Sequence, residues 1–301
     1  MNRRRWWGIG GAIVLVIVAA AVWFSVATIR PSTPDEAALA YLHALESGDA
    51  DAVAATGIDV SATTLEAFAD ATAHIEEAEI LGEKSDADDA AATVDVAFQL
   101  DGAPHRASLR LRTVDGRWIV ADSGLGTLTA ESSIGSAVAI GAATAPVQKP
   151  LVLLPAVYTV AAAPTALLDG ESTVVMLPGE DTAVTIDAGV RPEATTAAQA
   201  QLDEHLQECT VPAGRVPAQC GIRIPWGTEF HDVSEIRYRI EASPVIALTS
   251  AGFSADGGVL IATVTGTGQD GAARTTTYRT ESWSVRGEVS FTDDALVLSY
   301  R

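Results

Sequence analysis

The chain has 301 residues, with 39 acidic against 19 basic, a formal net charge of −20 and an isoelectric point near 4.4. A field of that sign excludes nucleic acid and anionic lipid as partners gathered by net charge. Hydrophobic residues make up 48% of the chain, enough for two or three small domains with cores of their own.

Arg3, Arg4 and Arg5 open the sequence, and Trp6 to Ile29 follow without one charge before Arg30. As a helix that run reaches ~36 Å, enough to cross a hydrocarbon core of ~30 Å. The arginine excess holds the amino end in the cytoplasm and sends the rest outward. Trp6 and Trp7 suit one interface and Trp23 the other, so the expected first partner is a lipid bilayer engaged through residues 6–29. The rival reading is a cleaved secretory signal, with Ser25 and Ala27 as small residues before the cut. Its usual apolar core of ~7–15 residues is shorter than this run. The expected location is a bacterial cell membrane, single-pass, with the bulk of the chain extracytoplasmic.

Behind the cytoplasmic residues 1–5, the span 6–29 and a linker at 30–34, three domains are expected, at 35–123, 124–192 and 193–301. From Pro31 to His105 there are 17 acidic residues and one base, Lys84, which reads as a solvated surface. Asp35 and Glu36 begin a helix with Ala38, Leu39, Tyr41, Leu42 and Leu45 on one side. Gly48 ends it, Asp49 caps a second helix through Ala55, and a third is expected at Ser61–His74. Then the period changes to two. Ile80–Lys84, Ala92–Leu100, Arg106–Thr113 and Trp118–Ala121 read as strands, with Asp101-Gly102 and Asp115-Gly116 as hairpin turns. Val94, Val96, Phe98, Leu100, Leu109 and Leu111 share one face; Asp95, Gln99, Arg106, Arg110 and Arg112 share the other. The whole is expected to be α+β, with helices on the apolar face of an antiparallel sheet.

The run AALAYLHALESGDADAVAA, followed by a helix, strands and TVDGRWIV, resembles the cone-shaped superfamily of nuclear transport factor two and ketosteroid isomerase. It resembles most closely the branch found in bacterial membrane-anchored envelope proteins, over about residues 34–123. In the isomerase branch a tyrosine at the spacing of Tyr41 helps form an oxyanion hole. The partner carboxylate that the resemblance implies is missing, since Leu65 stands near its place and Asp59 falls early. Tyr41 is therefore read as a core or rim aromatic bordering an apolar pocket.

Beyond Gly124, short strands are expected at Ala137–Gly141, Pro150–Val160, Ser172–Leu177 and Thr182–Ile186. A strand ending in Ile-Gly, then Leu153-Leu154-Pro155 with Tyr158-Thr159-Val160, resembles the small β-domains of teicoplanin-resistance-associated envelope proteins. It departs from them at Ala156, where glycine is usual. The last domain opens with a helix over Ala194–Glu208, burying Ala198, Leu202 and Leu206. Strands follow at Ile236–Glu241, Val245–Thr249, Val259–Thr265, Thr275–Val285, Glu288–Phe291 and Ala295–Tyr300.

Cys209 and Cys220 are the only cysteines, and on the oxidising side a disulfide is the natural expectation. Closing so short a loop contributes roughly 3 kcal/mol in the chain-entropy treatment. Two thiols alone cannot build a zinc site.

Other chemistry is sparse. Gly266, Gly268 and Gly271 match G-x-G-x-x-G, but β-branched residues follow where a dinucleotide site needs a helix, so a hairpin is expected. His43, His74, His105, His205 and His231 show no metal-ligand spacing, and Asp86, Asp88 and Asp89 lack the glycine and glutamate of a calcium loop. Ser123 has no histidine partner visible in sequence. Arg106, Arg110 and Arg112 suit an anionic glycan or phosphate; the plainer reading pairs Asp95 with Arg110 across the hairpin. No catalytic, cofactor or metal residue is assigned. The expected role is a non-catalytic interaction or scaffold module that meets an envelope protein or the cell wall. A ligand sensor using the first domain's pocket is the alternative, and an isomerase or hydrolase the third.

Overall fold

The computed structural model describes residues 33–85, 91–211, 218–222 and 229–301. They gather into two compact units. One takes the described residues up to Asp59 together with Ile75–Gly124; the other takes Val60–His74 with Leu125–Arg301.

In the first unit, helix α1 (Pro34–Ser47) starts where the Thr33 hydroxyl accepts from the Glu36 N–H, with Pro34 opening the first turn. It stops at Gly48, whose φ of 67° lies in the left-handed region that glycine enters without a Cβ clash. Asp49 restarts the chain: its Oδ1 accepts from the N–H groups of Asp51 (2.9 Å) and Ala52 (3.3 Å) to cap α2 (Ala50–Ala55). Strands β1 (Glu76–Ser85), β2 (Ala91–Leu100), β3 (Ala103–Val114) and β4 (Arg117–Val120) then form an antiparallel meander in sequence order. Asp101-Gly102 turns with φ of 54° and 71°, Asp115-Gly116 with 51° and 73°. Both are mirror-image turns whose twist matches the flanking strands. Val94, Val96, Phe98, Leu100, Leu109 and Leu111 are all buried, as are Tyr41, Leu42 and Leu45 of α1. Glu46 fastens α1 to β1 by accepting from the Ala78 N–H at 2.8 Å.

Helix α3 (Ala62–Ala69), capped by Ser61, belongs to the second unit. Thr64, 1% exposed, donates its hydroxyl to the Val152 carbonyl at 2.8 Å, and the Thr72 N–H and hydroxyl both donate to the Val157 carbonyl. Strands β5 (Gly126–Ser132), β6 (Ala137–Ile140), β7 (Ala143–Pro146), β8 (Pro150–Leu153), β9 (Ala156–Ala163), β10 (Leu168–Asp169), β11 (Glu171–Met176), β12 (Asp181–Ile186) and β13 (Gly189–Val190) follow. They build sheets ordered β11-β9-β6-β7 and β12-β5-β8, with β10 and β13 as a small pair.

Helix α4 (Pro192–Thr210) comes next, with Ala194, Ala198, Leu202 and Leu206 all fully buried. Strands β14 (Phe230–Ala242), β15 (Val245–Leu248), β16 (Gly252–Gly268), β17 (Ala273–Phe291) and β18 (Leu296–Tyr300) complete the unit. The sheet runs β14-β16-β17-β18, and β15 also pairs with β16. Two amides pin α4 to it. Gln199 accepts from the Ile246 N–H (2.9 Å) and donates to the Pro244 carbonyl (3.2 Å), and Gln201 donates to the Leu296 carbonyl (2.8 Å).

The expected class, α+β opening with a transmembrane helix, is corrected by this structure. The described residues are 55% strand and 21% helix, so the protein is mostly β. The cause is strand length. Thr275–Val285 and Glu288–Phe291, read as two strands around Gly287, are one 19-residue strand, β17. Gly287 does not break it, because a side chain there would run into the Ser299 carbonyl; the glycine is what lets β18 approach. The strand read at Val259–Thr265 likewise extends to 17 residues through the Gly257–Gly258 bulge. Among the described residues no helix is long and apolar enough to cross a membrane. Residues 6–29, with Arg3, Arg4, Arg5, Trp6, Trp7 and Trp23, lie outside the described residues, as do Asp86, Asp88 and Asp89.

Candidate functional site

The place where chemistry-bearing side chains converge is the carboxyl end of α4. His205 and Cys209 stand four residues apart, which puts both on one helix face. The disulfide expected from sequence is formed: Cys209 joins Cys220 with a Cα separation of 5.8 Å. Both are buried, and the His205 Nε2 lies 3.6 Å from the Cys209 sulfur. The three potential ligand atoms lie within 4.8 Å of one another, the one group of three such residues among the described residues.

Neighbouring strands hold this cluster. The His205 ring stacks on Tyr300 of β18 at 3.7 Å between centroids and 9° between planes, and Phe253 meets Tyr300 edge-on. The Tyr300 hydroxyl donates to the Gln201 carbonyl, and burial, with Glu208 and Glu204 nearby, raises its pKa. The indole N–H of Trp283, 2% exposed, donates to the Cys220 carbonyl at 2.9 Å. Sequence reasoning found the disulfide and missed His205. Its signal was the His-x-x-x-Cys spacing on a helix.

Tyr41 is fully buried, and its hydroxyl donates to the Gly124 carbonyl at 2.7 Å. Its proton is thereby committed to the backbone. Each of the other histidines has its own surroundings. His43 is exposed beside Glu46, His74 sits edge-on to Phe68, His105 stacks on Phe98 and His231 is exposed. The Gly266–Gly271 run is the turn end of the β16–β17 hairpin, where the Gly268 N–H donates to the Ala272 carbonyl at 2.8 Å. A shallow concavity of about 190 Å³ is lined by Ser136, Ala137, Thr144, Ala145, Pro146 and Asp293, the last of which supplies a carboxylate.

The basic row on β3 differs from its plain reading. The two-residue turn pairs Leu100 with Ala103, and counting back places Asp95 opposite Ser108 and Thr93 opposite Arg110. Asp95 accepts from the Ser108 hydroxyl (2.6 Å) and from Lys84 (2.9 Å) rather than from Arg110. Arg106, Arg110 and Arg112 are exposed, and their guanidinium groups enter no ion pair among the described residues. Lys84, Thr93 and Arg110 form one cross-strand row; Glu79, Ala97 and Arg106 form the next but one.

The Ser108 and Lys84 hydrogen bonds hold the Asp95 carboxyl below the usual aspartate range. A depressed folded value contributes stability that is present above the unfolded pKa and lost as pH falls through the folded one. Asp95→Asn should therefore lower the melting temperature at pH 7, with the deficit shrinking below about pH 4. Thermal melts of the two proteins from pH 7 to pH 3 check this, and a deficit constant with pH would contradict it.

Compared with known proteins, the chain matches no family model, no curated protein and no solved structure.

Proposed function

We propose that the protein is a non-catalytic module of a bacterial cell envelope, held at the membrane by the charge-free run 6–29, that docks an anionic wall component. The observation that carries this reading is the row Arg106, Arg110 and Arg112: three exposed cations on one strand, without ion pairs among the described residues, in a chain of net charge −20. Arginine presents a planar fork of donors that matches carboxylate and phosphate, the charged groups of wall polymers. The buried disulfide suits the oxidising side of the membrane, and the likeness of residues 34–123 to membrane-anchored envelope proteins points the same way.

Co-sedimentation with purified cell walls tests it, using the full-length protein in detergent. Arg106→Ala, Arg110→Ala and Arg112→Ala combined should reduce wall binding at least tenfold while the melting temperature stays within a degree or two, because exposed unpaired cations contribute little to stability. Wild-type binding should also weaken as salt rises. Wall binding that persists undiminished in the triple variant would sink the proposal.

A further inference from the structure

The cluster at the end of α4 is more than a staple. A disulfide that only closes a loop needs no histidine, yet His205 is aimed at it. We infer that the reduced protein binds Zn²⁺ through Cys209, Cys220 and His205, so that disulfide and metal are alternative states of one site.

The distances carry the argument. With Zn–S near 2.3 Å and Zn–N near 2.0–2.1 Å, a tetrahedral site separates nitrogen from sulfur by about 3.6 Å and two sulfurs by about 3.8 Å. The His205 Nε2 already stands 3.6 Å from the Cys209 sulfur. Once the S–S bond is broken, the movement required is rotation of the Cys side chains apart, across a Cα separation of 5.8 Å. The histidine is oriented in advance. Stacking on Tyr300 fixes the ring plane, and a helical spacing of four fixes its distance from Cys209. Cys220 is held from the other side by Trp283. Supporting contacts of this kind hold ligands in place in metal sites. Three protein ligands leave a fourth position, and half-buried His205 lets water or an outside donor reach it.

The chemistry balances with a dithiol as reductant. The dithiol gives two electrons and two protons to the Cys209–Cys220 bond, which becomes two thiols while the reductant becomes a disulfide. Zn²⁺ then displaces both thiol protons, and the neutral His205 imidazole adds through Nε2, giving a site with no net charge. An oxidant reverses the sequence, expelling the metal as the sulfurs rejoin. This inference does not depend on what the β3 arginines bind, and its test reads a different signal.

Full-length protein in detergent is reduced with a phosphine, freed of oxygen and titrated with Co²⁺ as a spectroscopic stand-in for zinc. The expected result is a thiolate-to-cobalt charge-transfer absorption that saturates at one equivalent and is bleached by Zn²⁺. The oxidised protein should show none. His205→Gln should weaken the metal at least tenfold, whereas His43→Gln should not. If reduction loosens the tertiary structure, Zn²⁺ should restore the near-ultraviolet circular dichroism of wild type and fail to do so in His205→Gln. Absence of the charge-transfer band from reduced protein, or equal affinity in His205→Gln, would overturn the inference.

Discussion

Replacing both Cys209 and Cys220 by alanine should destabilise the second unit by roughly 3 kcal/mol, the entropy that a short closed loop removes from the unfolded chain. For a unit of about 190 residues, that is a fall of roughly 6–12 °C in melting temperature. The pair is placed so that little else compensates. Cys220 is fully buried, Cys209 is 5% exposed, and between them the bridge ties the end of α4 to the segment that Trp283 grips. Differential scanning calorimetry of wild type and the double variant, both under oxidising conditions, measures it. A shift of under 2 °C would mean that packing around Trp283 and Tyr300 holds the helix end without the bond. Adding Zn²⁺ should leave the double variant unchanged, since no thiol remains to bind it.

Leu202→Ala should have an effect as large or larger. Leu202 sits in the middle of the α4 stripe with no exposure, between Ala198 and Leu206, which are equally enclosed. Truncation removes buried methyl groups and leaves a cavity that the surrounding sheet closes only in part, an effect of about 2–5 kcal/mol. The upper part of that range is expected here, because Gln199 and Gln201 fix α4 to β15 and β18 and prevent it from settling inward. Urea unfolding followed by tryptophan fluorescence reads the change, with buried Trp283, whose indole N–H donates to the Cys220 carbonyl, as a reporter in the same unit. The control is Glu204→Ala, two residues along and therefore on the opposite, exposed face of the helix, expected within about 0.5 kcal/mol of wild type.

Local chemistry made much of this protein legible from sequence. Gly48 and Asp49 stop one helix and start the next through single-residue effects, a left-handed φ and a side-chain cap, that need no tertiary partner. Asp101-Gly102 and Asp115-Gly116 fix both hairpins for the same reason, and the alternation of Val94, Val96 and Phe98 fixes which face is buried. The stripe Ala198, Leu202, Leu206 did so for α4. Reading failed where a residue's role is set by something distant. Gly287 looks like a break and is a point of close approach, because the Ser299 carbonyl is what it must admit. Breaks read at such glycines shortened the strands, while the expected helices were of about the observed total length.

The sequence alone determined the acidic surface, the charge-free opening run, the helix caps, the hairpin turns and the pairing of two cysteines that had no other choice. Each follows from composition or from contacts a few residues apart. Tertiary structure decided the rest. It gave helix α3 to the second unit through Thr64 and Thr72, set Asp95 against Ser108 rather than Arg110, which enters no ion pair among the described residues, and brought His205, Cys220 and Tyr300 together from positions up to 95 residues apart. Contacts at that separation arise only when whole sheets pack, and no local pattern carries them.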